Sequence, residues 1–188
     1  MCEKTLKLRG TILAALGMSG LGGLRSFERH SKMSFKLSQR SLDKLKGVHP
    51  KLQQVVAKAI QYTKVDFGVT HGVRELAEQE RLYKSGRSQT MKSKHLVQED
   101  GYSHAVDVVA YDGSTVVWEI NFYDDICDAF KNAAIEIGVP IKWGAAWSEG
   151  DIRKYEGSAE DAMNAYIDLR RSQGRRPFID GPHFELIA

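Results

Sequence analysis

The chain has 188 residues, 42% apolar and 27% charged, which suits one globular domain with a substantial core and argues against disorder beyond the termini. Its formal net charge of +3 is uneven: residues 1–32 hold six Lys/Arg and two Glu, and the remainder holds 21 basic and 22 acidic residues. The near-neutral body excludes a nucleic-acid footprint, and two cysteines, Cys2 in the leader and Cys127 in an apolar helical pattern, exclude a disulfide framework or a Cys-based metal site.

The leader, residues 1–32, has a basic start followed by roughly 14 apolar or small residues, the outline of a signal peptide or weak membrane anchor. It is short and Gly-rich for a transmembrane helix, which needs about 20 apolar residues. Two other readings stand beside this one: a start at Met33, where Met-Ser-Phe-Lys-Leu-Ser opens the globular pattern, and a disordered tail.

The globular domain is expected over residues 33–188. Helical periodicity opens at Ser38–Leu45 and returns at Pro50–Tyr62, where Leu52, Val55, Val56, Ala59 and Ile60 fall on one stripe and Pro50 suits a first-turn position. Val65–Thr70 alternates as a short strand. Arg74–Tyr83 is rich in helix formers and ends at Ser85-Gly86. Ser88–Ser103 is polar and irregular. Ala105–Tyr111 reads as a strand closed by Asp112-Gly113, with Thr115–Ile120 as its hairpin partner. Asp124–Ile137 is an amphipathic helix stopped by Gly138. Ile141–Trp143 is a further strand, Ser158–Arg171 a helix opened by a Ser158/Asp161 capping box, and His183–Ile187 a closing strand. Helices followed by antiparallel strands with helices between them predict an α+β fold, a small antiparallel sheet with flanking helices.

Three features carry chemistry. Ser93-Lys94-His95 is followed twelve residues after the His by Asp107; a late run reads Asp180-Gly-Pro-His183-Phe-Glu185; and Arg74 lies in Gly72-Val-Arg-Glu. Asp107, between Val106 and Val108, is expected to point inward, where an unpaired carboxylate costs several kcal/mol. A metal or an Arg partner would relieve it. Two His and one Asp suit zinc and leave a fourth position for water. Strand alternation puts His104 and Asp107 on opposite faces, which favours His95 over His104 as ligand, and it puts His183 and Glu185 on one face with Phe184 and Leu186 behind. Trp143 and Trp147 are open to either core packing or substrate stacking, and Tyr102 and His104 are expected near the mouth of the cleft.

The order Ser-x-His, Ala-x-Asp, Asp-x-x-His-x-Glu resembles the zinc D-Ala-D-Ala carboxypeptidases and the phage L-alanyl-D-glutamate endopeptidases (endolysins), which share a hedgehog-like fold. Met33-Ser-Phe-Lys-Leu, His71-Gly-Val-Arg74, Ser93-Lys-His95-Leu, His104-Ala-Val-Asp-Val-Val and Trp143-Gly-Ala-Ala-Trp147 place it nearest the endolysin branch. The resemblance implies one zinc per chain on His95, Asp107 and His183, Asp180 as general acid/base, and Arg74 on the substrate carbonyl. Ser93, Glu185 and Trp147 are candidates for orienting a ligand or contacting substrate. The implied activity is hydrolysis of the L-Ala-D-Glu bond of the peptidoglycan stem peptide by a monomer. It would be made in the host cytoplasm and act at the wall, with export or membrane contact only if the leader is real. The rivals are a D-Ala-D-Ala carboxypeptidase or dipeptidase and a non-catalytic zinc-stabilised wall-binding module. Two departures stand out: the His-to-Asp gap is twelve residues where about seven is usual, with Val97–Tyr102 apparently inserted, and the stretch from Trp147 to Asp180 is long.

Overall fold

The computed structural model describes residues 34–187; the readings of the leader, residues 1–32, lie outside them. In chain order the elements are α1 (Gln39–Lys44), α2 (Pro50–Tyr62), β1 (Asp66–His71), α3 (Leu76–Lys84), β2 (Ala105–Asp112), β3 (Thr115–Val117), α4 (Ile120–Ile137), β4 (Ile141–Trp143), α5 (Ala159–Ser172) and β5 (His183–Leu186). Two short 3-10 turns, Trp147–Glu149 and Ile152–Lys154, precede α5. The fold is α+β, as expected. No helix among the described residues is long and apolar enough to cross a membrane.

The sheet is antiparallel throughout, in the order β1-β2-β5-β4, with β3 pairing the far end of β2. Its centre is β2, whose alternate residues Val106, Val108 and Ala110 join the core with Phe184 and Leu186 of β5. Against that face pack the stripe of α2 (Leu52, Val55, Val56, Ala59, Ile60) and that of α4 (Ile126, Cys127, Phe130, Ala133, Ala134). Phe130 stacks on Phe184 at 3.9 Å between ring centres and sits 5.5 Å from Phe67. Full burial of each such ring is worth about 1.5–3 kcal/mol, so this aromatic column is a main anchor of α4 on the sheet. Cys127 is buried as expected, and burial pushes its thiol well above the ordinary value.

Two boundaries differ from expectation for identifiable reasons. The α4 helix begins at Ile120, four residues early, because Ile120 and Tyr123 continue its apolar stripe and the Tyr123 hydroxyl donates to Val117 O at 3.2 Å. This shortens β3 to three residues. The α3 helix begins at Leu76, not Arg74, because the Arg74 backbone N–H is taken by His95 O at 2.9 Å. Gly138 ends α4 in the left-handed conformation, and Ser158 and Asp161 form the capping box that starts α5.

Candidate metal centre and active-site cleft

Strand register assembles the floor of the site. Asp107 lies directly opposite His183 across β2 and β5, and opposite His71 across β1 and β2. The three residues form a row across the sheet, on the face turned away from the α2/α4 core. This corrects the expectation that Asp107 points into the apolar interior: its side chain faces the cleft and keeps 18% exposure. The apolar run around it misleads because Val109, on the same face as Asp107, is also covered. A register shift between Val69 and His71 bends the end of β1, where Thr70 Oγ1 donates to Asp107 O at 3.1 Å.

His95 comes from the polar loop and is fixed three ways. Its backbone N–H donates to Ser93 Oγ at 3.2 Å, its carbonyl accepts from Arg74 N, and its ring Nδ1 lies 2.7 Å from Gly72 O. The last contact requires Nδ1 to carry the proton, which leaves the Nε2 lone pair facing Asp107 Oδ1 at 3.0 Å and His183 Nδ1 at 3.3 Å. Gly72 has to be glycine for this: a Cβ there would meet Lys44 O at 2.1 Å. The expected insertion at Val97–Tyr102 does not displace the loop. It closes on itself through Gln98 N to Tyr102 O at 2.8 Å and a bridge between Val97 and Ser103, so both ends return to the sheet.

His183 is fixed in the complementary sense. Its Nε2 donates to Glu185 Oε2 at 3.2 Å, and its Nδ1 is 3.0 Å from Asp107 Oδ1. His95 Nε2, His183 Nδ1 and a carboxylate oxygen of Asp107 thus converge on one point, and each imidazole is oriented by a hydrogen bond through its other nitrogen. A metal ligand set requires this geometry, and the group fits a metal ion. Burial alone would lower the His183 pKa, but its hydrogen bonds to Asp107 and Glu185 push it up to about 10. Burial alone would raise Asp107, but the two imidazoles hold its carboxyl well below the usual carboxylate range. Glu185 is likewise held low by His183 against the effect of burial.

Asp180 sits beside the triad at the end of a tight run in which Asp180 N donates to Gly144 O at 3.0 Å and His183 N donates to Asp180 O at 3.1 Å. Gly144 lets this segment approach: a Cβ there would stand 2.4 Å from Asp180 O and 2.9 Å from His183 Cβ. Burial raises the Asp180 carboxyl above its ordinary value, the negative Asp107 adds to that, and the imidazoles and Arg74 oppose it. Arg74 spans the other side, with Nη1 donating to Gln79 Oε1 at 2.9 Å and Nη2 reaching Asp107 Oδ2 at 3.5 Å. Gln79 went unnoticed in the sequence. It is fully buried and also ties Ser88 Oγ and Thr90 O to α3 through Nε2, at 2.8 and 2.7 Å. Its only signal was a polar residue on the inner side of a helix whose apolar stripe is weak.

These groups lie in an open cleft of about 1100 Å³, walled on one side by α3 and the polar loop and on the other by α5 and Phe178. Ser93 and Glu185 line it. Trp143 is core, with Nε1 donating to Gly181 O at 2.8 Å, whereas Trp147 lines the cleft 5.5 Å from the His183 ring. Tyr102 and His104 do not line the cleft. They join His49 and Asp100 in a separate cluster, with His104 Nε2 at 2.7 Å from Asp100 Oδ2. That cluster also offers two imidazoles and a carboxylate, but His49 Nδ1 already accepts from Lys51 N at 3.1 Å. With His104 Nε2 donating to Asp100 as well, the group is a hydrogen-bonded clasp.

Two imidazoles and a carboxylate at the floor of an open cleft, with a separate carboxylate and a guanidinium beside them, are the groups of a candidate hydrolytic centre. The comparisons carry this to the family. The phage L-alanyl-D-glutamate peptidase family matches residues 33–187, and the chain belongs to that family. The L-alanyl-D-glutamate peptidase of Escherichia phage T5 is 28% identical over 159 residues, which span 82% of this chain and 100% of the relative. The crystal structure of the Serratia marcescens L-Ala D-Glu endopeptidase ChiX superposes with a TM-score of 0.61 at 32% identity, covering 84% of this chain and 94% of that one. The resemblance read from the motifs is borne out, and the chain is a peptidase.

Proposed function

We propose that this chain is a zinc-dependent endopeptidase that hydrolyses the L-Ala-D-Glu bond of peptidoglycan stem peptides, with one metal held by His95, Asp107 and His183. The observation that carries the reading is the convergence of three potential ligand atoms beside Asp180 in a cleft open to a peptide. Two imidazoles and a carboxylate are a zinc donor set that leaves one position open, whereas a structural site fills its fourth position with protein. When bound, zinc supplies a Lewis acid that polarises the scissile carbonyl and acidifies the attacking water.

The chain's own residues do the rest. Asp180 takes the proton from water as its oxygen bonds to the L-Ala carbonyl carbon, then delivers that proton to the D-Glu nitrogen as the C–N bond breaks. Burial suits it to both halves by raising its pKa towards the working range. Arg74 donates towards the developing oxyanion, its guanidinium set by Gln79 on one side and Asp107 on the other. Glu185 and Gly72 O hold the two imidazoles in their ligating tautomers.

The test is metal analysis of the purified protein, followed by digestion of peptidoglycan with and without chelator. About one zinc per chain and chelator-sensitive release of new amino termini on Glu are expected. Release of free D-Ala would make it a carboxypeptidase, zinc without cleavage would make it a binding module, and absence of zinc would refute the metal assignment.

A further inference from the structure

The cleft holds one cation that nothing in the described structure explains. Arg170, on α5, lines the cleft half-buried, donates only a long contact from Nη2 to Arg176 O at 3.4 Å, and has a buried Nε with no partner. Among the described residues no carboxylate lies within 4 Å of it, unlike its neighbour Arg171, which is exposed and pairs with Asp168. A buried donor left unpaired is costly, and an incoming anion can satisfy it. Of the other cleft cations without an ion pair, Arg87 and Lys92 are exposed, and half-buried Lys94 has no buried, unpartnered nitrogen.

Position suggests which anion. From the His183 ring, Trp147 is one step of 5.5 Å, and Phe178 is a second step of 6.4 Å. Arg170, on the same cleft wall, is tied through Arg176 O to the segment that leads into Phe178. An extended chain covers about 3.3–3.6 Å per residue, so the steps of 5.5 and 6.4 Å together span up to about three and a half residue lengths from the His183 ring. That is too far for the α-carboxylate of D-Glu, which is attached to the carbon next to the scissile nitrogen. It suits the side chain of the following stem residue. Where that residue is a diaminodicarboxylic acid, the side chain ends in a free carboxylate; where it is lysine, the same chain lacks it.

We propose that Arg170 forms a carboxylate subsite on the α5 wall that selects stem peptides whose third residue carries a side-chain carboxylate. The inference rests on the stem-peptide reading above. A guanidinium pinned on a helix can meet a carboxylate through two N–H groups, a geometry that lysines on the opposite loop do not offer.

The experiment compares kcat and KM of the zinc-loaded full chain on two synthetic peptides, L-Ala-γ-D-Glu-meso-diaminopimelate and L-Ala-γ-D-Glu-L-Lys, which differ by that one carboxylate. The wild type is expected to favour the first by roughly tenfold or more in kcat/KM, mostly through KM. Arg170→Gln should bring the ratio near one, while Arg171→Gln should preserve it; a merely structural role for Arg170 would lower both substrates alike. Equal cleavage by the wild type, or a preference that survives Arg170→Gln, overturns the subsite. Failure of the wild type to cleave either peptide overturns the substrate reading itself, and the subsite with it.

Discussion

Metal uptake at the triad is expected to expel a proton. In the metal-free chain His183 is held as an imidazolium, with Nδ1 facing Asp107 Oδ1 at 3.0 Å and Nε2 facing Glu185 Oε2 at 3.2 Å, and its pKa is pushed up to about 10. The Nδ1 lone pair that a metal needs is the one that carries this proton. Each pH unit below about 10 therefore weakens the apparent affinity about tenfold, or ~1.36 kcal/mol, and the span from pH 8 to pH 6 about a hundredfold. The same shift acts on the metal-free fold with a definite sign. Its stabilisation is complete below the unfolded value near 6.5 and disappears as pH rises through about 10. The assay is calorimetric titration of zinc into metal-free protein at pH 6 and pH 8, in buffers of differing ionisation heat, so that protons are counted. At least one proton per metal is expected at pH 6. Glu185→Gln removes one of the two carboxylates that hold the proton and should shallow the pH dependence. A count near zero, or an affinity flat between the two pH values, would refute the protonated-triad reasoning.

Asp180→Ala is expected to keep stoichiometric zinc and lose about 10²–10⁴ in kcat, checked by metal analysis beside turnover on a stem peptide. Gly144→Ala drives a methyl group to 2.4 Å from Asp180 O; we expect a loss of about 2 kcal/mol or more in denaturant unfolding, together with weakened zinc binding. Gln79→Ala leaves the Thr90 carbonyl and the Arg74 guanidinium without their shared partner and should cost about tenfold or more in kcat/KM with zinc retained. Asp124 has a buried Oδ1 without a partner, and burial, reinforced by Glu160, Asp128 and Asp125, raises its pKa to about 6. The penalty for ionising it is absent below about pH 3.8 and complete above about pH 6. Asp124→Asn should therefore stabilise at pH 8 by about 1 kcal/mol after allowance for its partial exposure, and leave the melting temperature unchanged near pH 3.5.

Local periodicity was enough to find the core helices, because α2 and α4 each bury one stripe, with Pro50 opening the first and Gly138 closing the second; the uncapped start of α4 was not legible. It was not enough for the site, which depends on register. That Asp107 stands opposite His183 follows from the pairing of β2 with β5, strands separated by more than 70 residues, and no local pattern encodes it. The order of motifs supplied what periodicity could not, since Ser93, His95, Asp107, Asp180 and His183 recur in a recognisable sequence. The roles of Gln79, and of Gly72 and Gly144 within their motifs, were not legible for a different reason. Their roles are contacts made by a buried amide, a carbonyl and a missing Cβ, and none of these leaves a mark on hydrophobic pattern.

The two departures from the family pattern fall on opposite sides of a functional divide. The extra residues at 97–102 fold back on themselves, bridge Val97 to Ser103, and fasten through Asp100 to His104, away from the cleft. They can lengthen the path from His95 to Asp107 without altering where either side chain ends. The long segment before Asp180 does the reverse. Its helix α5 packs on α4 and lends Tyr166, Leu169, Arg170 and Gln173 to the cleft wall, while the Tyr166 hydroxyl accepts from Phe178 N at 3.2 Å. Asp107 and His183 sit on paired strands, and the His95 ring is held by Gly72 O, so neither change touches these contacts. Variation in this chain is thus free to act on what the cleft holds beyond the scissile bond, while the chemistry at the floor stays tied to the register of β2 and β5.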